Sequence, residues 1–248
     1  AKLRLIWFMN LIKSTGTFSI FVIISRVLGY LRDVLIAIYL GSGPIADAFF
    51  VAFRIPSTFR RLFAEGSFNA AFVPSYSSEL TKGKNKAKNF ANDVFNFLML
   101  VLLILVIFVE ILMPGFVFLI APGFYEDQSK LELTTLLTRI TFPFLLFISL
   151  ASFFSAILNS HNKFGVAAAA PIILNFILIL IIFLEKNSDD NLAIYLSYGV
   201  SIAGLIQLIF VYFFAKKYFF PKLNLKFKIT KKIKVFFNKF LPGIFSSG

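Results

Sequence analysis

Five arginines and three carboxylates lie close together near the start of this chain, inside segments that are otherwise apolar. The basic residues are Arg26, Arg32, Arg54, Arg60 and Arg61; the acidic ones are Asp33, Asp47 and Glu65. Asp47, Arg54 and Arg61 are seven residues apart, as are Arg26 and Asp33. On a helix that spacing keeps each set on one face. Glu65 follows Arg61 by four residues and can pair with it. Five cations against three anions leave positive charge over. An arginine keeps its proton when buried and forks onto phosphate through two parallel hydrogen bonds. The chemistry such a set offers is the holding of an anion, phosphate or pyrophosphate first. The competing reading is a set of internal ion pairs that pin two helices together.

The elements that must position these groups are membrane helices. Of 248 residues, 58% are hydrophobic and only 15% charged, and phenylalanine occurs 35 times. Soluble domains carry about a quarter charged residues, so that class is excluded. A disordered chain and a coiled coil fall with it, and the pattern lacks the short alternation of an outer-membrane barrel. Ile140–Ser160, Phe164–Leu184 and Asn191–Ala215 are free of charge, and Val94–Pro114 holds only Glu110. Each has the roughly 20 residues of a span. Thr15–Leu40 and Ile45–Phe63 have span length but contain the charges above, and Gly41-Ser42-Gly43-Pro44 turns the chain between them. Ser67–Ser78 is too short to cross and is expected to extend the second helix or lie at the interface. Pro56 is expected to kink its helix. Pro143 and Pro171 are expected in or near the first turns of theirs, where a missing N–H costs little.

Depth makes the charges informative. At about 1.5 Å per residue, Arg26 lies roughly 16 Å from Thr15 and Arg54 roughly 15 Å from Pro44, both near the middle of an apolar layer about 30 Å thick. Each such charge costs at least ~2.5–3.5 kcal/mol. Several are tolerable only when they face protein, water or an anionic ligand. Hydrocarbon-rich surroundings suggest that the anion can carry a lipid.

The remaining basic residues orient the chain. With a cytoplasmic N-terminus, seventeen Lys and Arg lie on the cytoplasmic side, and the opposite loops hold only Lys130 and Lys186 among six carboxylates. That bias follows the positive-inside rule. The expected organisation is a cytoplasmic segment 1–14, six transmembrane helices over 15–215, a basic amphipathic linker 216–237 on anionic lipid, and the start of a seventh helix over 238–248. Residues 1–8 precede Met9 and are expected to be an upstream extension. With no cysteine and one histidine, no disulfide, thiolate site or ordinary zinc site is expected. His161 is expected to be a solvated loop residue. No cofactor, metal or catalytic residue is expected, and nucleic acid is not an expected partner of the basic linker.

Ser25-Arg26-Val27-Leu28-Gly29-Tyr30-Leu31-Arg32-Asp33 resembles the first-helix signature of the MurJ (MviN) lipid II flippases. Ala46-Asp47-Ala48-Phe49-Phe50-Val51-Ala52-Phe53-Arg54-Ile55-Pro56 is similar to their second helix, continuing through Arg60-Arg61-Leu62-Phe63-Ala64-Glu65-Gly66-Ser67-Phe68 to Ala71-Phe72-Val73-Pro74. Weaker matches are Ala121-Pro122-Gly123-Phe124, Ile140-Thr141-Phe142-Pro143, Ala156-Ile157-Leu158-Asn159 and Ala170-Pro171 with Asn175. The resemblance implies an all-α exporter fold, of which this chain is the six-helix N-terminal lobe. It also implies movement of an undecaprenyl-pyrophosphate-linked peptidoglycan precursor across the bacterial inner membrane by alternating access. It implies substrate roles for Arg26, Arg32, Arg60, Asp47 and Glu65. Arg54 falls at a position that is Lys or Arg in the family, and Ser57 stands where the family usually has Asn. A second lobe would complete the cavity. Other readings are an exporter of a different lipid-linked oligosaccharide, an enzyme acting on lipid pyrophosphates, and a scaffold in a division complex. The charges offer no paired acidic motif of the kind a metal-dependent pyrophosphate enzyme needs.

Overall fold

The structure is a computed structural model that describes residues 2–60, 67–185 and 191–224. Nine α-helices are present among the described residues: α1 (Lys2–Leu40), α2 (Pro44–Arg60), α3 (Ser67–Thr81), α4 (Lys84–Ile111), α5 (Met113–Ile120), α6 (Gln128–Thr141), α7 (Phe144–Ser160), α8 (Phe164–Glu185) and α9 (Leu192–Ala215). Among the described residues, four continuous segments are long and apolar enough to cross a membrane: Lys84–Ile111, Gln128–Ser160, Phe164–Glu185 and Leu192–Ala215. With the charge-bearing α1 and α2 they make the expected six, and α3 is a separate short helix. The start of a seventh helix at 238–248 and the linker beyond residue 224 lie outside the described residues.

Several boundaries differ from expectation for local reasons. No helix breaker stands ahead of Thr15, so α1 begins at Lys2 and includes most of the expected N-terminal segment. Its 39 residues extend about 58 Å at the helical rise, about twice an apolar layer. Gly41 at φ 71° turns the chain between α1 and α2. Pro44 then opens α2 with its φ already set. The span expected from Ile140 starts earlier, at Gln128, and breaks at Phe142-Pro143 between α6 and α7. Ser201 Oγ on α9 hydrogen-bonds the Ile140 carbonyl at that break. Pro171 lies inside α8 rather than in its first turn.

Pro56 lies inside α2 and cannot donate to the Ala52 carbonyl four residues back. Thr141 Oγ1 on α6 donates to that carbonyl instead, at 3.0 Å. Pro56 thus opens an acceptor that a side chain of a neighbouring helix fills, which fastens α2 to α6, and the Ser201 bond fastens α9 to the end of α6.

Phenylalanine supplies most of the filling. Phe68, Phe72 and Tyr76 of α3 are fully buried with Phe90, Phe95, Phe153 and Phe154 of α4 and α7. The rings of Phe72 and Phe153 are tilted with centroids 5.2 Å apart, a favoured aromatic geometry. A second cluster joins α1, α2, α7, α8 and α9 around Phe49, Phe144, Leu178 and Val200. Small residues bring α9 close to its neighbours. A Cβ on Gly204 would lie 2.6 Å from Phe144 Cδ2, and one on Gly199 would strike Ile181.

Residues 216–224 begin the expected linker, and they are docked on protein. Phe219 is buried against Phe95 and Phe153. Asn92 Oδ1 accepts from Lys222 N at 2.7 Å, and Asn96 bonds Lys222 O at 2.9 Å and Asn224 N at 3.0 Å. His161 departs from expectation in the same neighbourhood. It is half-buried, stacked on Tyr218 at 4.2 Å, with Nε2 3.5 Å from the Tyr76 hydroxyl. Burial holds its pKa below the ordinary imidazole value.

Candidate functional site

A cavity of about 810 Å³ opens between α1, α2, α7 and α8, with Asn69 of α3 and Gln207 of α9 also on its wall. α1 and α8 run parallel along one side, since Gly165 meets Thr17 and Phe21 while Gly29 meets Asn175 further along both helices. Arg26 and Arg32 line the cavity from α1. They are six residues apart, so they project about 120° from each other around the helix and about 9 Å apart along it.

Arg32 is held from three helices. Its Nη1 donates to Asn175 Oδ1 of α8 at 2.7 Å. Its Nε and Nη2 donate to Asp33 Oδ1 at 2.9 and 2.7 Å. The guanidinium carbon lies 5.2 Å from the centroid of the Phe53 ring on α2. Asn175 uses its other end too, donating Nδ2 to the Ser25 carbonyl at 2.9 Å. The Arg32 side chain is 13% exposed and Asp33 is 61% exposed. Three of the five guanidinium N–H groups are engaged in these bonds, and the rest remain for a ligand. Arg26 is exposed and makes no hydrogen bond or ion pair among the described residues. Among the described residues that line the cavity, Arg26 is the cation without a protein partner. The competing ion-pair reading holds for Arg32 only in part, because its one carboxylate is well solvated.

The remaining site candidates are distributed differently. Arg54 is exposed and is not among the lining residues. Asp47 lies off the cavity, in the first turn of α2, and accepts from Lys130 Nζ of α6 at 2.6 Å. Lys130 in turn sits 4.1 Å from the Phe124 ring centroid. Asp127 caps α6 by accepting from Lys130 N at 3.1 Å and Ser129 Oγ at 2.7 Å. The Ser129 hydroxyl, ahead of the backbone N–H groups, holds the Asp127 carboxyl below its ordinary value. The side chain of Arg60, and Arg61 and Glu65 entirely, lie outside the described residues.

Four residues escaped the charge-based reading. Asn175 and Gln207 are the lone amides of α8 and α9. An amide isolated in a membrane-length apolar run is a detectable signal. Asn159, near the end of α7, has weaker warning because it adjoins a polar loop. Lys130 carried no signal toward Asp47, 83 residues away.

Comparison with known proteins agrees with this geometry. The sequence model of the family described as "Lipid II flippase MurJ" matches residues 36–248. A probable lipid II flippase MurJ of Rhizobium tropici is 44% identical over 209 residues, covering 82% of this chain and 39% of that protein. The Rickettsia prowazekii counterpart is 38% identical, covering 84% of this chain and 41% of its own length. A solved structure titled "Lipid II flippase MurJ, inward closed conformation" superposes with a TM-score of 0.76 at 31% identity, covering 93% of this chain and 47% of that one. An outward-facing multidrug transporter of the MATE family, at a TM-score of 0.67 and 17% identity, shares the fold alone. The chain spans about two-fifths of the length of the curated relatives that it matches. The matched family, the all-helical exporter fold and the arginine-lined hollow agree: this chain belongs to the MurJ family of lipid II flippases.

Proposed function

We propose that this chain forms the N-terminal lobe of a flippase that carries lipid II from the cytoplasmic to the outer leaflet of a bacterial inner membrane. The observation that carries the proposal is the placement of Arg26 and Arg32 on one cavity wall, the first unpaired and the second preset by Asn175. Such cations bind phosphate oxygens through charge-assisted hydrogen bonds. Two arginines suit a diphosphate, and the surrounding apolar helices suit a polyprenyl chain. Arg60, Arg61 and Glu65 belong to the same proposal through their place after Pro56 in the sequence.

The N-terminus lies in the cytoplasm, on the strength of the loop charge bias, and the basic residues of the linker meet anionic lipid. A second lobe of the same protein faces this one, and the two rock about the cavity. Asp47 and Arg54 act outside the diphosphate contact. Asp47, strapped to Lys130, serves as a gate partner that lets go when the lobes rearrange. Release requires the arginines to bind the headgroup unequally in the two states. The protein is a transporter with no catalytic residue or cofactor.

The test is precursor export in cells that depend on the gene product carrying this chain. Arg26→Ala and Arg32→Ala are expected to abolish export while the protein still inserts in the membrane. Export at the unmodified rate in both variants would remove the arginine wall from the mechanism.

A further inference from the structure

The part of the cavity formed by α7 and α9 is uncharged, and its hydrogen-bonding capacity is unspent. Ser152, Ser155 and Asn159 line it from α7. Their spacing of three and four residues places them on one face, as a polar stripe about 10 Å long at the helical rise. Gln207 joins them from α9. It is only 1% exposed, yet its Nε2 has no hydrogen-bond partner, and the buried Oδ1 of Asn159 has none either.

Orphan amide atoms in a membrane interior are costly. A leucine or methionine at 207 would fill the same space without that cost. Gln207 is the only amide between Leu192 and Ala215, so local composition does not account for it. Amides and serine hydroxyls both donate and accept. They complement groups that do the same, namely hydroxyls and amides, and this wall carries no charge of its own to hold an ion. A cavity of about 810 Å³ is of the size that holds a drug-sized ligand, more than a diphosphate alone needs.

We infer that Ser152, Ser155, Asn159 and Gln207 form a subsite for an uncharged, hydroxyl- and amide-bearing group, an acylamino sugar in the first instance, on the same ligand whose phosphates meet Arg26 and Arg32. The inference rests on the diphosphate reading of the arginine wall. It divides the cavity into one wall that captures the anion and one that selects what the anion carries.

The test is a titration of the whole purified protein that carries this chain, second lobe included, in lipid nanodiscs with three probes. They are a polyprenyl pyrophosphate, the same lipid bearing an N-acetylated disaccharide, and that glycolipid bearing its peptide. The disaccharide probe is expected to bind about tenfold tighter than the bare lipid, about 1.4 kcal/mol. In Gln207→Leu and Asn159→Leu the ratio is expected to fall toward one. Affinity for the bare lipid should be retained, which also reports that the variants fold. Should either leucine variant lose the bare lipid as well, Ser152→Ala and Ser155→Ala carry the test with less disturbance of packing. A gain that appears only with the peptide attached, and is lost in the same variants, assigns the wall to peptide amides and keeps its chemistry. Equal affinity of the wild type for all three probes, or a ratio unchanged in every variant, overturns the subsite while the diphosphate reading stands. A wild type that binds no probe overturns both.

Discussion

Two cations in this molecule have nearly the same immediate company and opposite circumstances. Arg32 sits by Phe53 with Asp33 at 2.7 Å; Lys130 sits over Phe124 with Asp47 at 2.6 Å. Both are mostly covered, at 13% and 17% side-chain exposure. The carboxylate of Arg32 is its neighbour in the chain, so that pair survives any rearrangement of helices. The carboxylate of Lys130 is on another helix, so that pair exists only while α2 and α6 stay together. Arg32 also lines the cavity and keeps donors in reserve, whereas Lys130 does not line it. An arginine with a local partner and a long-range amide is positioned for a ligand. A lysine whose partner is distant ties two elements together.

The sharpest way to break that contrast is to exchange the consequences. Arg32→Ala is expected to weaken binding of a polyprenyl pyrophosphate by about tenfold to a hundredfold, the loss of one charge-assisted hydrogen bond at ~1.5–3 kcal/mol. Arg32→Lys is expected to recover only part, because an ammonium cannot reach Asn175 and a phosphate with a planar fork. Calorimetry in nanodiscs would read both, and undiminished affinity in Arg32→Ala would place Arg32 with Lys130 as structural.

Asn175→Leu is expected to have the same sign and a smaller size. It removes the bond that fixes Nη1 and leaves the Ser25 carbonyl with one partner fewer. About fivefold weaker binding corresponds to the ~1 kcal/mol net worth of an ordinary hydrogen bond. An Asn175→Leu protein with wild-type affinity would mean that Arg32 needs no presetting.

Lys130→Ala should lower thermal stability by no more than ~1 kcal/mol, discounted because Asp47 is 56% exposed and water screens such pairs. It should leave pyrophosphate affinity untouched. Raising ionic strength should shrink its effect, since screening acts on this pair. A fall in pyrophosphate affinity in this variant would join the two clusters into one site.

The smallest expected effect is the pH response of the far end of the bundle. His161 is held neutral by burial, so its folded pKa lies below the unfolded value of about 6.5. The unfolded chain then binds the proton more readily, and stability rises with pH. The contribution is complete above about 6.5 and fades as pH falls through the lower folded value. Hydrogen-exchange protection factors at Tyr218 and Tyr76 should fall on acidification in the wild type, but not in His161→Phe. Equal falls in both would show that another group controls that end.

Much of this architecture could be read from the residues because its causes are local. Charge-free runs fixed the spans at Phe164 and Leu192 within a residue or two. Gly41 and Pro44 fixed the α1–α2 turn. The arginine wall was legible because Arg26 and Arg32 have no place in an apolar run unless a hollow receives them. Other features were not legible. Pro143 marks the start of α7, but the continuation of that span back to Gln128 was not legible, because Lys130, Glu132 and Arg139 interrupt the apolar run ahead of it. His161 reads as a loop residue until Tyr76 and Tyr218 arrive from 85 and 57 positions away.

The sequence by itself determined the class, the helices and the surplus of positive charge at mid-depth. Apolar length, proline and glycine act within a few residues of themselves, and charge is a property of composition. Only the tertiary structure decided which arginine would be preset, which aspartate would become a strap and which amides would be left unsatisfied. Asn175 lies 143 residues from Arg32, and Lys130 lies 83 from Asp47. Hydrogen bonds and ion pairs act over a few ångströms, so partners that distant in the chain are chosen by how the helices pack.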